Sequence, residues 1–140
     1  MNLGNIIKII SAALGGIASF LFGQLTGLFF ALIVFIILDY ITGVAAAIKK
    51  NELDSRTGAF GILKKVGILS VIVLVNVLDV HVFGASGVLR NAIISFYIAN
   101  EGISILENAA RLGVPIPKKI INVLNQLKDK TEEENKKDEK

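Results

Sequence analysis

The stretch IISAALGGIASFLFGQLTGLFFALIVFIIL, residues 9–38, contains no charged side chain. About twenty apolar residues are enough for one helix to cross the hydrocarbon core of a bilayer. The run is therefore too long for one relaxed span and slightly short for two. At its centre Gly23-Gln24-Leu25-Thr26-Gly27 sets two glycines beside two hydrogen-bonding side chains, which suits a tight turn at a membrane surface. The expected structure is a helical hairpin whose first span begins near Leu3 and whose second continues to about Ile48. The chain reads as an integral membrane protein.

The rest of the composition points the same way. Hydrophobic residues make up 53% and charged ones 19%, with a mean hydropathy of +0.65, values outside the usual range of a soluble domain this size. With no cysteine, disulfides and thiolate metal sites are excluded. A formal charge of +3, with no basic face, argues against a nucleic-acid partner. The first apolar stretch lacks a clear small-x-small cleavage site, so a signal peptide is not expected.

Outward from the opening run, a polar segment from Lys49 to Gly58 separates the second span from a third. That third span is interrupted by Lys64, Lys65, Asn76 and Asp79. His81-Val82-Phe83-Gly84-Ala85-Ser86-Gly87 reads as a short loop, and Gly113-Val114-Pro115-Ile116-Pro117 ends a fourth, amphipathic helix. The predicted fold is all-α and polytopic, with four transmembrane helices over residues 3–23, 25–48, 62–83 and 88–112. Residues 1–112 then form a helical membrane domain. Residues 113–130, with Ile120, Ile121, Val123, Leu124 and Leu127 at helical spacing, form an amphipathic cytoplasmic helix. Residues 131–140 are expected to be a disordered charged tail. Lys49, Lys50, Arg56, Lys64 and Lys65 follow the second span, and Arg111, Lys118, Lys119, Lys128 and Lys130 lie at the end of the fourth or beyond it. The other two turns carry only Arg90. The positive-inside rule then places both termini in the cytoplasm, whereas three spans would put the basic tail outside.

The fourth segment places Arg90, Tyr97, Asn100, Glu101, Ser104, Glu107, Asn108 and Arg111 on one helical face. A charge at mid-bilayer costs on the order of 3 kcal/mol or more. Glu101 thus needs a protein partner, a water-filled lumen or a proton. The stripe reads as packing inside the bundle, as a lumen lining, or as a helix lying on the membrane surface. Asp39 and Asp79 are expected near span ends, reaching the headgroups. Gly15, Ser19, Gly23 and Gly27 recur every fourth residue, and Gly43 adds to them on the second span. Such spacing brings helix backbones close in lipid, within one chain or between chains. No nucleophile elbow, phosphate-binding loop or zinc motif is present, and His81 stands far from any metal constellation. No catalytic, cofactor-binding or metal residue is therefore assigned, and an enzyme is not expected.

Asp39-Tyr40-Ile41-Thr42-Gly43, Glu52-Leu53-Asp54-Ser55, Gly61-Ile62-Leu63-Lys64-Lys65, the segment from Tyr97 to Asn108, and Gly113 to Pro117 occur in an order and spacing that resembles the phage holin family, which includes the clostridial toxin-release holins. Asp39, Thr42, Gly43, Ser55, Lys64, Lys65, Pro115 and Pro117 belong to these matching stretches. The resemblance covers roughly residues 33–127. It implies a multi-pass protein of the bacterial cytoplasmic membrane that accumulates as a homo-oligomer and then opens lesions. An endolysin or a large toxin would leave through them, and an antiholin is a further implied partner. The resemblance supplies no catalytic residue. The rival readings are a small oligomeric ion channel or transporter, and an antiholin that blocks lesions.

Overall fold

The computed structural model describes the backbone of residues 2–138 and the side chains of residues 2–130. Five α-helices account for nearly all of it: α1 (Leu3–Phe22), α2 (Gly27–Lys49), α3 (Ser55–Asn76), α4 (Val88–Leu112) and α5 (Lys118–Asp138). A π-helical segment, Val77–Val82, prolongs α3. Among the described residues there is no strand.

Local chemistry sets the boundaries. The Asn2 side chain caps α1 by accepting from the Asn5 amide at 3.0 Å. Asp54 caps α3, its carboxylate accepting from the amide and hydroxyl of Thr57, both at 3.2 Å. These bonds from Thr57, with the backbone amides of Arg56 and Ser55, hold the Asp54 carboxyl below the usual carboxylate range. That cap starts α3 at Ser55, seven residues before the predicted span, so Arg56, Lys64 and Lys65 are helical residues and the preceding loop is short. Helix α4 closes with Gly113 at φ +91°. The Gly113 amide donates to Ala110 O at 2.9 Å and the Val114 amide to Ala109 O at 3.0 Å, a Schellman cap followed by the two prolines. Lys49 at the end of α2 adds a bond to Leu112 O at 2.6 Å.

The helices form a bundle whose centre is α4. Arg90, near its start, bonds the carbonyls of Phe22 and Gln24 ahead of α2, while Lys49 ends α2 beside the last carbonyl of α4. The two helices therefore run parallel over their full length, with α3 antiparallel to both. The apolar core is Phe29, Leu32 and Ile36 from α2, Ile68 and Ile72 from α3, and Ile94 from α4. Phe30, Val34, Ile37 and Ile41 form an exposed apolar stripe on α2, and Phe60, Leu63 and Leu74 are exposed on α3. Helix α1 buries no residue. Its contacts gather at the C-terminal end, where Phe20 stacks on His81 with ring centroids 4.7 Å apart and Phe22 meets Phe29 at 5.2 Å.

Three helices, α1, α2 and α3 with its π-helical extension, are long and apolar enough to cross a membrane. The fourth predicted span has the length but not the apolarity. Its one exposed large hydrophobic residue is Val88, because α2, α3 and α5 cover it. Helix α5 differs from expectation in extent: its backbone stays helical to Asp138, within the segment expected to be disordered. The side chains from Thr131 onward lie outside the described residues.

Candidate functional site

A polar core is assembled from three helices at mid-length. Asp39 lies near the middle of α2, Lys65 near the middle of α3 and Glu101 near the middle of α4. The Lys65 ammonium donates to both carboxylates, joining Asp39 Oδ2 and Glu101 Oε2. Asn108 completes the set: its Nδ2 donates to Asp39 Oδ1 at 3.1 Å, to the Asp39 carbonyl at 3.3 Å and to Thr42 Oγ1 at 3.2 Å. Gly43 lies under Asn108, 3.4 Å from where a Cβ would sit to Nδ2. The expectation that Asp39 sits at a span end reaching the headgroups is thus corrected. It is an internal residue held by a lysine and an amide. Lys65, expected to mark the cytoplasmic loop, turns inward because two acids face it.

This cluster floors a cleft of about 370 Å³ between α2, α3 and α4. The cleft runs past Gly43, Ser104 and Asn108, with Lys64 beside its floor, and its lining extends to Glu52, Asp54, Glu107 and Arg111. At 1.5 Å per residue, the path along α2 from Lys49 to Asp39 is about 15 Å. A polar vestibule therefore reaches half-way along the bundle from its lysine-rich end. The side chains of Asp39 and Lys65 are 14% and 12% exposed, that of Glu101 only 3%, so the first two face the vestibule and the third faces protein.

The opposite end carries a second polar constellation. Asn76 Nδ2 donates to the carbonyls of Phe20 and Leu21, both at 3.0 Å, and Arg90 Nη1 to those of Phe22 at 2.9 Å and Gln24 at 3.2 Å. Together they satisfy the orphan carbonyls that end α1. Asp79, three residues before the end of the α3 span, turns inward rather than outward. It is buried, and its Oδ2 accepts from the Arg90 amide at 3.1 Å in the first turn of α4, where a carboxylate also suits the helix dipole. Gly23 is required here. At φ +74°, a Cβ would lie 2.1 Å from Arg90 Nη1 and 2.4 Å from Asn76 Oδ1.

Of the predicted polar face, Arg90, Glu101 and Asn108 make internal bonds, and Ser104, Glu107 and Arg111 line the vestibule. Tyr97 and Asn100 are half-buried, with Tyr97 packed on the core and on Phe96. The small-residue stripe divides. A Cβ on Gly15, Gly16 or Gly27 would meet nothing within 4 Å, while Gly23 and Gly43 are closely approached. Ser19 lines a cavity of about 400 Å³ beside Asn76 and Arg90. In the matching stretches, Ser55 opens α3, Lys64 lines the vestibule, and Pro115 and Pro117 form the α4–α5 turn. Sequence reasoning missed the roles of Lys65, Asn76 and Thr42 in these networks. A lysine and an asparagine inside an apolar helical run were the available signal.

These apolar helices around a paired polar core define a membrane protein. The sequence model of the bacteriophage holin family matches residues 16–129, most of the chain. A probable holin of Bacillus phage phi105 is 40% identical over 121 residues, covering 86% of this chain and 88% of that protein. An uncharacterised protein encoded 3′ of nagH in Clostridium perfringens is 45% identical over 129 residues, 92% of this chain and 98% of its own. One from Listeria innocua is 37% identical over 135 residues, 96% of each. No solved structure matches the chain. The chain belongs to the bacteriophage holin family, whose members act in phage lysis, and that membership points to a non-enzymatic protein.

Proposed function

We propose that this chain is a holin of the bacterial cytoplasmic membrane, which self-associates there and opens lesions that let an endolysin or a large toxin through. Helices α1, α2 and α3 cross the bilayer, and α4 crosses with them as a fourth, protein-covered span. The lysine-rich ends and both termini then lie in the cytoplasm. The observation that carries this reading is the division of the bundle into largely apolar outward faces on α1–α3 and an inner helix whose central carboxylate, Glu101, is paired with Lys65. The open faces of Gly15, Gly16 and Gly27 support association between copies, since close helix contact in lipid is driven by packing.

The test is inducible expression in a bacterium beside a cytoplasmic endolysin that has no export signal, followed by optical density. Abrupt lysis after a delay is expected. Growth arrest or unchanged growth, with the protein found in the membrane, would refute lesions of protein size. A narrow ion pathway would then account for arrest, and an antiholin for no effect, the latter recognised by its block of an active holin on co-expression.

A further inference from the structure

Helix α5 doubles back along α4 from the Pro115–Pro117 turn. Its Leu124 methyls lie 3.1 and 3.2 Å from where a Cβ on Gly102 would stand, with a Phe35 ring carbon of α2 at 3.3 Å. The glycine thus sets a close three-helix approach near the middle of α4. Because α4 runs parallel to α2 throughout, α5 reaches the mid-depth of the bundle, about 15 Å from the Gly113 turn. Ile121, Leu124 and Leu127 are half-buried on its inner side, whereas Asn122, Asn125, Gln126, Asp129 and Lys130 are exposed on the other, with Ile120 and Val123 the apolar residues exposed among them. Hydrocarbon at that depth does not accept amide and charged groups without partners. On α1–α3 the outward surface is predominantly apolar, with Lys8 and Lys64 the exposed charges within the helices' central turns. The bundle therefore has a side fit for lipid and a side that is not.

We propose that α5 faces water within the thickness of the membrane, so that the α4–α5 hairpin forms the aqueous wall of the assembled lesion and α1–α3 stand between it and lipid. This assignment rests on the holin reading above. The polar stripe of α4 then supports the wall from behind, bonded to α2 and α3, and the amide-rich face of α5 meets the water.

The chain has no cysteine, so introduced thiols report alone. The full chain is reconstituted in phospholipid vesicles loaded with a fluorescent folded protein. In one arm Asn125→Cys is compared with Val34→Cys, on the exposed apolar stripe of α2, for reaction with a membrane-impermeant maleimide. Maleimide needs a hydrated thiolate, and Asn125→Cys is expected to react at least about tenfold faster. In a second arm, the pair Gly102→Cys and Leu124→Cys is oxidised to tie α5 to α4. The tied chain is expected to release cargo as the reduced one does. Equal labelling of the two single thiols in vesicles that release cargo would overturn the proposal and leave the holin reading standing. So would cargo release by the reduced pair that oxidation abolishes, since α5 would then have to leave α4. Retention of cargo by the unsubstituted chain would instead overturn the holin reading, and the proposal with it.

Discussion

Replacing Lys65 by methionine keeps the length and apolar volume of the side chain and removes its charge. Asp39 and Glu101 then face each other across the middle of the bundle with no cation between them. Removing one partner of a buried ion pair costs about 3–5 kcal/mol, chiefly because the remaining charge stays buried and unpaired. Asp39 opens to the vestibule at 14% exposure and keeps the Asn108 amide, whereas Glu101 at 3% has lost its cation. The expected loss is therefore at the lower end, about 3 kcal/mol, or roughly two decades in the unfolding equilibrium. The variant Asp39→Asn/Lys65→Met/Glu101→Gln has no charge to strand and should lie within about 1 kcal/mol of the parent. Purified protein in mild detergent, titrated with sodium dodecyl sulfate and followed by helical circular dichroism, measures both. A Lys65→Met variant within about 0.5 kcal/mol of the parent would refute a buried triad. A triple variant as unstable as the single one would refute the electrostatic origin of the loss.

Gly23→Ala forces a Cβ into the Arg90 guanidinium and the Asn76 amide at a positive φ, so α1 should lose its end cap at a cost above about 1 kcal/mol. An unchanged midpoint in the same titration would contradict the cap. Asp54→Ala should lower stability in a pH-dependent way. The folded carboxyl titrates below its usual value, so the cap contributes at about pH 7, above the unfolded value, and is lost as pH falls through the lowered folded value. The gap between parent and variant should therefore close on going to about pH 2, and a constant gap would show that the carboxylate charge is irrelevant.

The α1–α2 hairpin was legible because an uncharged run is a direct statement about solvent, and glycines flanking Gln24 and Thr26 mark where it turns. The Gly113–Pro117 stop was legible for an equally local reason. The polar face of α4 could be read from its period, but not its partners. Lys65 is 26 residues from Asp39 and 36 from Glu101, separations that no local pattern encodes. On sequence alone, a lysine after a basic loop looks like another topogenic charge. Asp39 was misplaced, and the inward turn of Asp79 missed, for the same reason: a carboxylate in an apolar run suggests a membrane surface until the group that bonds it is seen. The early start of α3 was hidden by Gly58 and Gly61, which resemble loop residues, although Asp54 and Thr57 carry the spacing of a cap. The depth reached by α5 follows from Gly102 admitting Leu124, and a lone glycine in a helix does not announce what it admits.

The π-helical segment changes how α3 is phased against α4. Its bond from the Phe83 amide to Leu78 O, 2.9 Å long, spans five residues where an α-helix spans four, so the turn stores one surplus residue. Had that residue entered a regular helix, everything on one side of it would have rotated by about 100° about the axis. Absorbed in one wide turn, it leaves Ile68 and Ile72 facing the core and still brings Asp79 round to α4.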